Sequence, residues 1–303
     1  MLSSGPRNWR SKGWIFSLAI IGVACCSSEV PAGTDGVCRL QGSPASTVDS
    51  AKGLYEVFDQ DGGSLEALRA SGKVPALQVD RLPDDLDALP ARRVDLFLRL
   101  LLPSALQVNQ GLSAERARLL ALPRTGERSQ ADEGFLKALS NRYGAPSMSV
   151  SELIERVDEV PVSLILAQGA DESGWGRSRF AIAGNALFGQ HTSGKGPASM
   201  EARGADVRMA AFANVCAAVQ GYVDNLNQGR AYAGLRSLRA RLRAEGRPVT
   251  GAELAGELLA YSARGAEYVG DLRSIIRRHG LEDFNRAVLT GRPGWVKVVP
   301  SAR

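Results

Sequence analysis

The sequence holds two histidines, His191 and His279, and four cysteines, Cys25, Cys26, Cys38 and Cys216, widely scattered apart from the first pair. No metal-ligand set of ordinary spacing can be assembled from these, so a metal-free protein is expected. Aromatic residues make up only 6% of the 303 residues, whereas Gly, Ala, Leu and Arg are plentiful. That balance disfavours a sandwich of short aromatic strands and predicts a mainly α fold. A Gly-x-Ser-x-Gly elbow, a phosphate loop and a dinucleotide fingerprint are all missing, which removes serine hydrolases and nucleotide enzymes and leaves no cofactor to expect. The apolar run at Leu100, Leu101 and Leu102 is interrupted by Arg99 and too short for a membrane span, so it predicts core.

The formal charge of +5 comes from 37 basic residues spread among 32 acids. Without a basic helix carrying interleaved aromatics, no nucleic-acid partner is expected; an anionic polymer outside the cell fits the sign equally well. Arg7, Arg10 and Lys12 precede an apolar run over 14–24, the pattern of a signal-peptide core, which predicts an exported chain. Gly22-Val23-Ala24 before Cys25 and Cys26 is a loose form of the small-residue site at which bacterial lipoproteins are cut and acylated. Two outcomes stay open: an ordinary cleaved signal, or a lipoprotein anchored through Cys25 or Cys26 in a bacterial periplasm. Cys38 and Cys216 could pair, but nothing in the sequence demands it, and Cys216 reads as a small core residue.

The chain is expected to divide into a signal over 1–26, a flexible linker over 27–70, a helical N-terminal region over 71–150, a further, helix-rich domain over 151–285 and a tail over 286–303. Residues 92–122 show helical periodicity on both sides of Pro103, which predicts two segments meeting at a kink. Shorter helices are predicted around 135–143, 151–157, 251–261 and 266–279, and another from the spacing of Phe212, Val215, Cys216, Val219, Val223 and Leu226. A β-hairpin is predicted with strands over 187–191 and 205–209. Pro161 suits a helix start, and Ser173-Gly174 suits a stop. Between them lies an apolar helix, small on one face at Ala167 and Ala170, that predicts a central buried position.

That helix ends in Asp171-Glu172. The negative helix end, low polarity and the neighbouring acid all oppose ionisation of Glu172, and a carboxyl protonated near neutrality is what a general acid requires. The plainer reading is a helix cap whose acids face water. Two acids at a helix end without an evident cation favour the first reading.

The ordered run Ile165-Leu166-Ala167-Gln168, Glu172-Ser173-Gly174-Trp175-Gly176, Arg177-Ser178-Arg179-Phe180 and Gly184-Asn185-Ala186-Leu187-Phe188-Gly189-Gln190 resembles the bacterial glucosaminidase family, family 73 of the glycoside hydrolases, in its Bax-type branch. Upstream the likeness takes in Val74-Pro75-Ala76, Arg81-Leu82-Pro83, Leu101-Leu102-Pro103 and Asn109. Downstream it includes 193–212, 222–227, Ala231-Tyr232 and 261–269, so that it covers roughly 74–281.

The resemblance implies a mainly α (α+β), lysozyme-like helical domain with a small β-lobe. It also implies cleavage of the N-acetylglucosamine–N-acetylmuramic acid bond of peptidoglycan strands, with Glu172 as general acid. It suggests Glu201 as a second carboxylate with Asp206 as fallback; if neither serves, the substrate's own N-acetyl group could act as nucleophile. Tyr261 and Tyr268 match the family's tyrosines near the domain end, although their spacing is one residue longer and the usual Asp-Pro is absent. Trp175, Asn185, Phe188, Gln190 and His191 are the expected substrate-binding positions, with Trp175 as an apolar wall over Glu172 and His191 where many relatives carry Trp. A lytic transglycosylase or muramidase, and a non-catalytic wall-binding protein on the same fold, stay open beside the endo-β-N-acetylglucosaminidase reading.

Overall fold

The structure is a computed structural model that describes residues 37–61, 63–123, 128–144, 149–192, 199–201 and 208–301. In chain order the elements are β1 (Ser46–Val48), α1 (Ala51–Asp61), α2 (Leu65–Ser71), β2 (Lys73–Val79), α3 (Arg93–Ala121), α4 (Gln130–Arg142), α5 (Val150–Arg156), α6 (Val162–Ser173) and α7 (Arg179–Gly184). There follow β3 (His191–Thr192), β4 (Ser199–Glu201), β5 (Arg208–Ala210), α8 (Val215–Gln228), α9 (Ala233–Ala244), α10 (Gly251–Leu254), α11 (Ala266–Arg278) and β6 (Val288–Val298). The fold is mainly α with two three-stranded sheets, the α+β architecture expected of a lysozyme-like domain.

α6 is the axis. From Val162 to Ala170 every residue is buried, and α3, α10 and α11 pack around it. A Cβ on Gly169 would lie 2.7 Å from Leu101 Cδ2, so the missing side chain is what lets α3 come this close. Leu100, Leu101 and Leu102 are fully buried, as expected of core.

α3 runs unbroken through Pro103 as one helix, where a kink between two segments was expected. Proline removes a single N–H, a cost of about 3 kcal/mol in a helix interior. Residues 96–106 are buried on both sides of it, and burying large apolar side chains at about 1.5–3 kcal/mol each outweighs that cost. α4 begins earlier than the periodicity suggested because Ser129 caps it, accepting from the Asp132 amide.

The expected linker and tail are largely folded. Ala51 and Leu54 of α1 are fully buried and Phe58 nearly so, and β6 is the centre of a parallel sheet ordered β1-β6-β2. Glycine and proline disguised β6 in the sequence: the register with β2 jumps between Pro75↔Thr290 and Leu77↔Gly294, which puts Gly291, Arg292 and Pro293 in a bulge where a missing N–H breaks no ladder bond. The N-terminal region is thus helix plus sheet. Cys38 and Cys216 form a disulfide, so Cys216 is a cross-link and not merely a small core residue.

The small sheet, ordered β3-β5-β4 and antiparallel, begins only at His191. Leu187 and Phe188, predicted as strand, are buried in the core, which no edge strand with a wet face permits. The predicted 251–261 helix is a single turn at α10 followed by a 3-10 turn over Ala255–Glu257.

Candidate active site

The C-terminal end of α6 is closed by a tight reversal. Ser173 donates its hydroxyl to the Gly169 carbonyl and accepts from the Gly176 amide at 2.9 Å, while the Trp175 amide reaches the Ala170 carbonyl at 2.9 Å. Gly174, Trp175 and Gly176 all have positive φ, and a Cβ on Gly176 would sit 2.8 Å from both Leu82 and Leu86. A glycine-rich sequence accepts this turn, and the turn leaves Glu172 in the last turn of a buried helix.

Glu172 is partly buried, and its carboxyl is pushed up from the ordinary 4.5 to about 7. Burial is the largest cause; a hydrogen bond from Tyr268 works against it, Asp171 adds to it and Arg264 opposes it. Asp171 is not the unpartnered acid that the sequence suggested. Its carboxylate pairs with Arg264, which also holds Asp271 at 2.6 Å, so the helix end does receive a cation, from the loop before α11.

Aromatic rings surround this carboxyl. Phe188 stacks on Tyr222 with centroids 4.2 Å apart, and Tyr261 lies parallel to Tyr268 at 5.7 Å. Tyr222 and Tyr232 meet Tyr261 at 6.4 and 5.9 Å. The Tyr261 hydroxyl donates to the Phe188 carbonyl at 2.8 Å. Behind them, Tyr222 donates to Gln168, and Gln168 donates to the Tyr268 hydroxyl at 2.8 Å. Both tyrosines singled out in the sequence lie close enough to Glu172 to feel its charge.

Other expected site residues lie elsewhere. Trp175 sets its ring against Phe97 and His279, at 5.9 and 4.9 Å, so the wall beside Glu172 is built of tyrosines. Phe188 is 1% exposed and has no free face for a sugar. The Asn185 amide donates to the carbonyls of Asp80 and Phe212, both at 3.1 Å, tying the end of β2 to the segment after β5. Gln190 is half-buried, its carbonyl accepting from Ala210, and His191 is exposed at the start of β3. Glu201 points into solvent, bonded to Arg208 at 2.8 Å; Asp206 lies outside the described residues.

Gly189 is the missed neighbour. It has φ +65, and a Cβ there would sit 2.9 Å from Glu172 Oε2. Gly189→Ala is expected to push the carboxyl aside, and the general-acid role expected of Glu172 from the sequence then predicts turnover lower by about 10²-fold, the typical effect of misplacing a reacting group by an ångström. Circular dichroism should stay native, and unchanged kcat would refute this role.

Residues 149–281 match the family model described as Glucosaminidase, Mannosyl-glycoprotein endo-beta-N-acetylglucosaminidase. Over 182 residues the chain is 34% identical to "Protein bax" of Escherichia coli (strain K12). That match covers 58% of this chain and 66% of the relative, just under two thirds of its length. No solved structure matches. The matched segment runs from the cap of α5 through α6 to the end of α11, enclosing Glu172, Gly189, Tyr261 and Tyr268 in one continuous stretch. Residues 149–281 thus carry a glucosaminidase-type domain, and the likeness to a Bax protein supports placing the chain in the Bax-type branch of that family.

Proposed function

We propose that the protein is an exported peptidoglycan hydrolase, an endo-β-N-acetylglucosaminidase that cuts the glycan backbone with Glu172 as general acid. The observation that carries this reading is the place of Glu172 in the last turn of the buried helix α6, with Gly189 against its Oε2, a setting whose burial pushes the carboxyl up to about 7. A proton donor works best when its pKa lies near the working pH.

Chemically, Glu172 gives its proton to the glycosidic oxygen as the bond to the anomeric carbon breaks; a water oxygen then bonds to that carbon and gives its proton back to the Glu172 carboxylate. The half-buried rings of Tyr232 and Tyr261 supply flat apolar faces for sugar rings. Glu201 is held by Arg208 and takes no part in the Tyr268–Glu172 group, so the reading assigns it no step. Export is supported by the Cys38–Cys216 disulfide, a bond that persists in oxidising compartments, together with the basic-then-apolar N-terminal pattern. Whether a lipid at Cys25 or Cys26 anchors the chain is an outcome of intact-mass measurement on membrane-extracted protein.

The test is mass spectrometry of purified sacculi incubated with the protein. Soluble muropeptides with reducing N-acetylglucosamine ends are expected. Anhydro-muramic or reducing muramic ends would reassign the protein to lytic transglycosylases or muramidases. Sedimentation with sacculi and no soluble product would make it a binding protein.

A further inference from the structure

A closed circuit of contacts passes through Glu172. On one side of it in the chain, the Asp171 carboxylate is bound by Arg264. Three residues before Arg264, Tyr261 donates its hydroxyl to the Phe188 carbonyl at 2.8 Å. The residue after Phe188 is Gly189, where a Cβ would stand 2.9 Å from Glu172 Oε2. The short segment 261–264 therefore joins the neighbour of Glu172 in sequence to the backbone packed against its carboxyl.

One guanidinium fastens this segment to two helices. Arg264 Nη2 meets Asp171 on α6, Nη1 meets Asp271 on α11 at 2.6 Å, and Cζ lies 5.1 Å from the centre of the Tyr268 ring. A planar fork spans two carboxylates in a way that a single-point cation does not reproduce. The side chain of Asp171 is 14% exposed and that of Arg264 40%, and a pair this open to water adds little to global stability. Its effect is local. Leu259, Ala260, Ala263 and Arg264 are exposed, and Gly265 turns the chain into α11 with φ +52, so the segment has little packing of its own to hold it in place.

We propose that Arg264 and Asp171 are positioning residues for Glu172: their pair closes the circuit and holds the 261–264 segment, and through Tyr261 the Phe188–Gly189 backbone, against the carboxyl. The proposal rests on the reading of Glu172 as the proton donor. With the circuit open, the carboxyl is aimed correctly for only part of the time. A purely electrostatic role predicts something else. Arg264 faces Asp171 and Glu172 on α6 and Asp271 on α11; removing the guanidinium leaves Asp171 unpaired beside Glu172, which favours the protonated acid and would preserve turnover.

The experiment compares the full chain with Arg264→Met, which keeps an apolar stem without the charge, on solubilised glycan strands at about pH 6, where the acid is largely protonated. kcat should fall about tenfold with KM unchanged, as when the productive arrangement is populated about one time in ten. Asp171→Ala opens the circuit from the α6 side and changes the charge beside Glu172 with the opposite sign; it should lower kcat about as much, and it serves as the test if Arg264→Met does not fold. Amide hydrogen exchange without substrate locates the cause. The Gly265 and Glu267 amides, bonded to the Ser262 and Arg264 carbonyls at 2.9 and 3.1 Å, should exchange about tenfold faster in both variants, while the Trp175 amide, bonded to the Ala170 carbonyl at 2.9 Å, keeps its protection. Wild-type kcat in a folded variant, a rise in KM with kcat unchanged, wild-type exchange at Gly265 and Glu267, or faster exchange that extends to Trp175 overturns the proposal. Failure of the functional reading shows separately, as digestion of sacculi by Glu172→Gln.

Discussion

Replacing Glu172 with glutamine is expected to reduce release of soluble muropeptides by about 10²–10⁴-fold, the usual contribution of a general acid, while making the folded protein more stable at pH 8. The two effects share one cause. In the folded state the carboxyl titrates at about 7 against an ordinary 4.5, so the folded protein holds this proton more tightly than the unfolded chain does. Stability linked to it is complete below about pH 4.5, falls as pH rises through the window up to about 7, and is lost above that. A displacement of this size corresponds to about 3 kcal/mol at most, of which the partial exposure of the carboxyl takes a share. Glutamine carries no charge to desolvate and still offers an oxygen to Tyr268. Thermal denaturation should therefore give similar midpoints for variant and wild type at pH 4, and a midpoint several degrees higher for the variant at pH 8. Equal or lower stability at pH 8 would mean that Glu172 is not held protonated, and the mechanism would lose its basis. The same sign governs turnover: wild-type activity should fall as pH rises through about 7, because the acid is then ionised before it meets substrate.

Much of the catalytic core was legible because its signals are local. Pro161 and Ser173-Gly174 bracket α6 as the sequence predicts, the apolar content of that helix announces its burial, and the Glu172 position follows from both. The tyrosines were reached through motif likeness, yet Gln168 carried a signal of its own, an amide in the otherwise apolar run from Leu164 to Ala170. What was illegible depends on contacts distant in sequence. Arg264, 93 residues from Asp171, turns an apparently unpartnered acid into half of an ion pair. β6 looks like a tail until β1 and β2, more than 200 residues earlier, flank it on both sides. Trp175, Asn185 and Phe188 were assigned to sugar contact by residue type, whereas burial, positive φ and carbonyl partners give them packing work. α9 had a local signature that was passed over: Leu235, Leu238 and Leu242 step by three and four between its arginines; so did α2, bracketed by the Ser64 cap and Gly72.

The second large effect concerns the disulfide. Cys38 and Cys216 are 178 residues apart in sequence, so their bond removes a very large loop from the conformations open to the unfolded chain. The chain-entropy model assigns about 5 kcal/mol to a loop of this length, and for a protein of this size that corresponds to a lowering of the thermal midpoint by roughly 10–20 °C on reduction. The bond also has a place in the native packing. Asn214, whose side-chain oxygen caps α8 at the Ala217 amide, donates its nitrogen to the Cys38 carbonyl at 2.9 Å. Gln107 holds the Val37 carbonyl at 2.9 Å, and Val37 lies over Gly111, its Cγ2 3.0 Å from where a Cβ would stand. The segment leading into β1 is thus clamped to α3 and to the start of α8, the helix that carries Tyr222. Reduction leaves those hydrogen bonds in place but restores the freedom of the unfolded chain, so the loss should appear in stability first and in kcat only as temperature approaches the lowered midpoint. Calorimetry with and without reductant, alongside thiol counting, measures it directly. Cys38→Ala/Cys216→Ala should match the reduced wild type and ignore reductant. A reduced protein with two additional free thiols and an unchanged midpoint would show that the clamp of Asn214 and Gln107 suffices, and would remove the stability argument for a chain matured in an oxidising compartment.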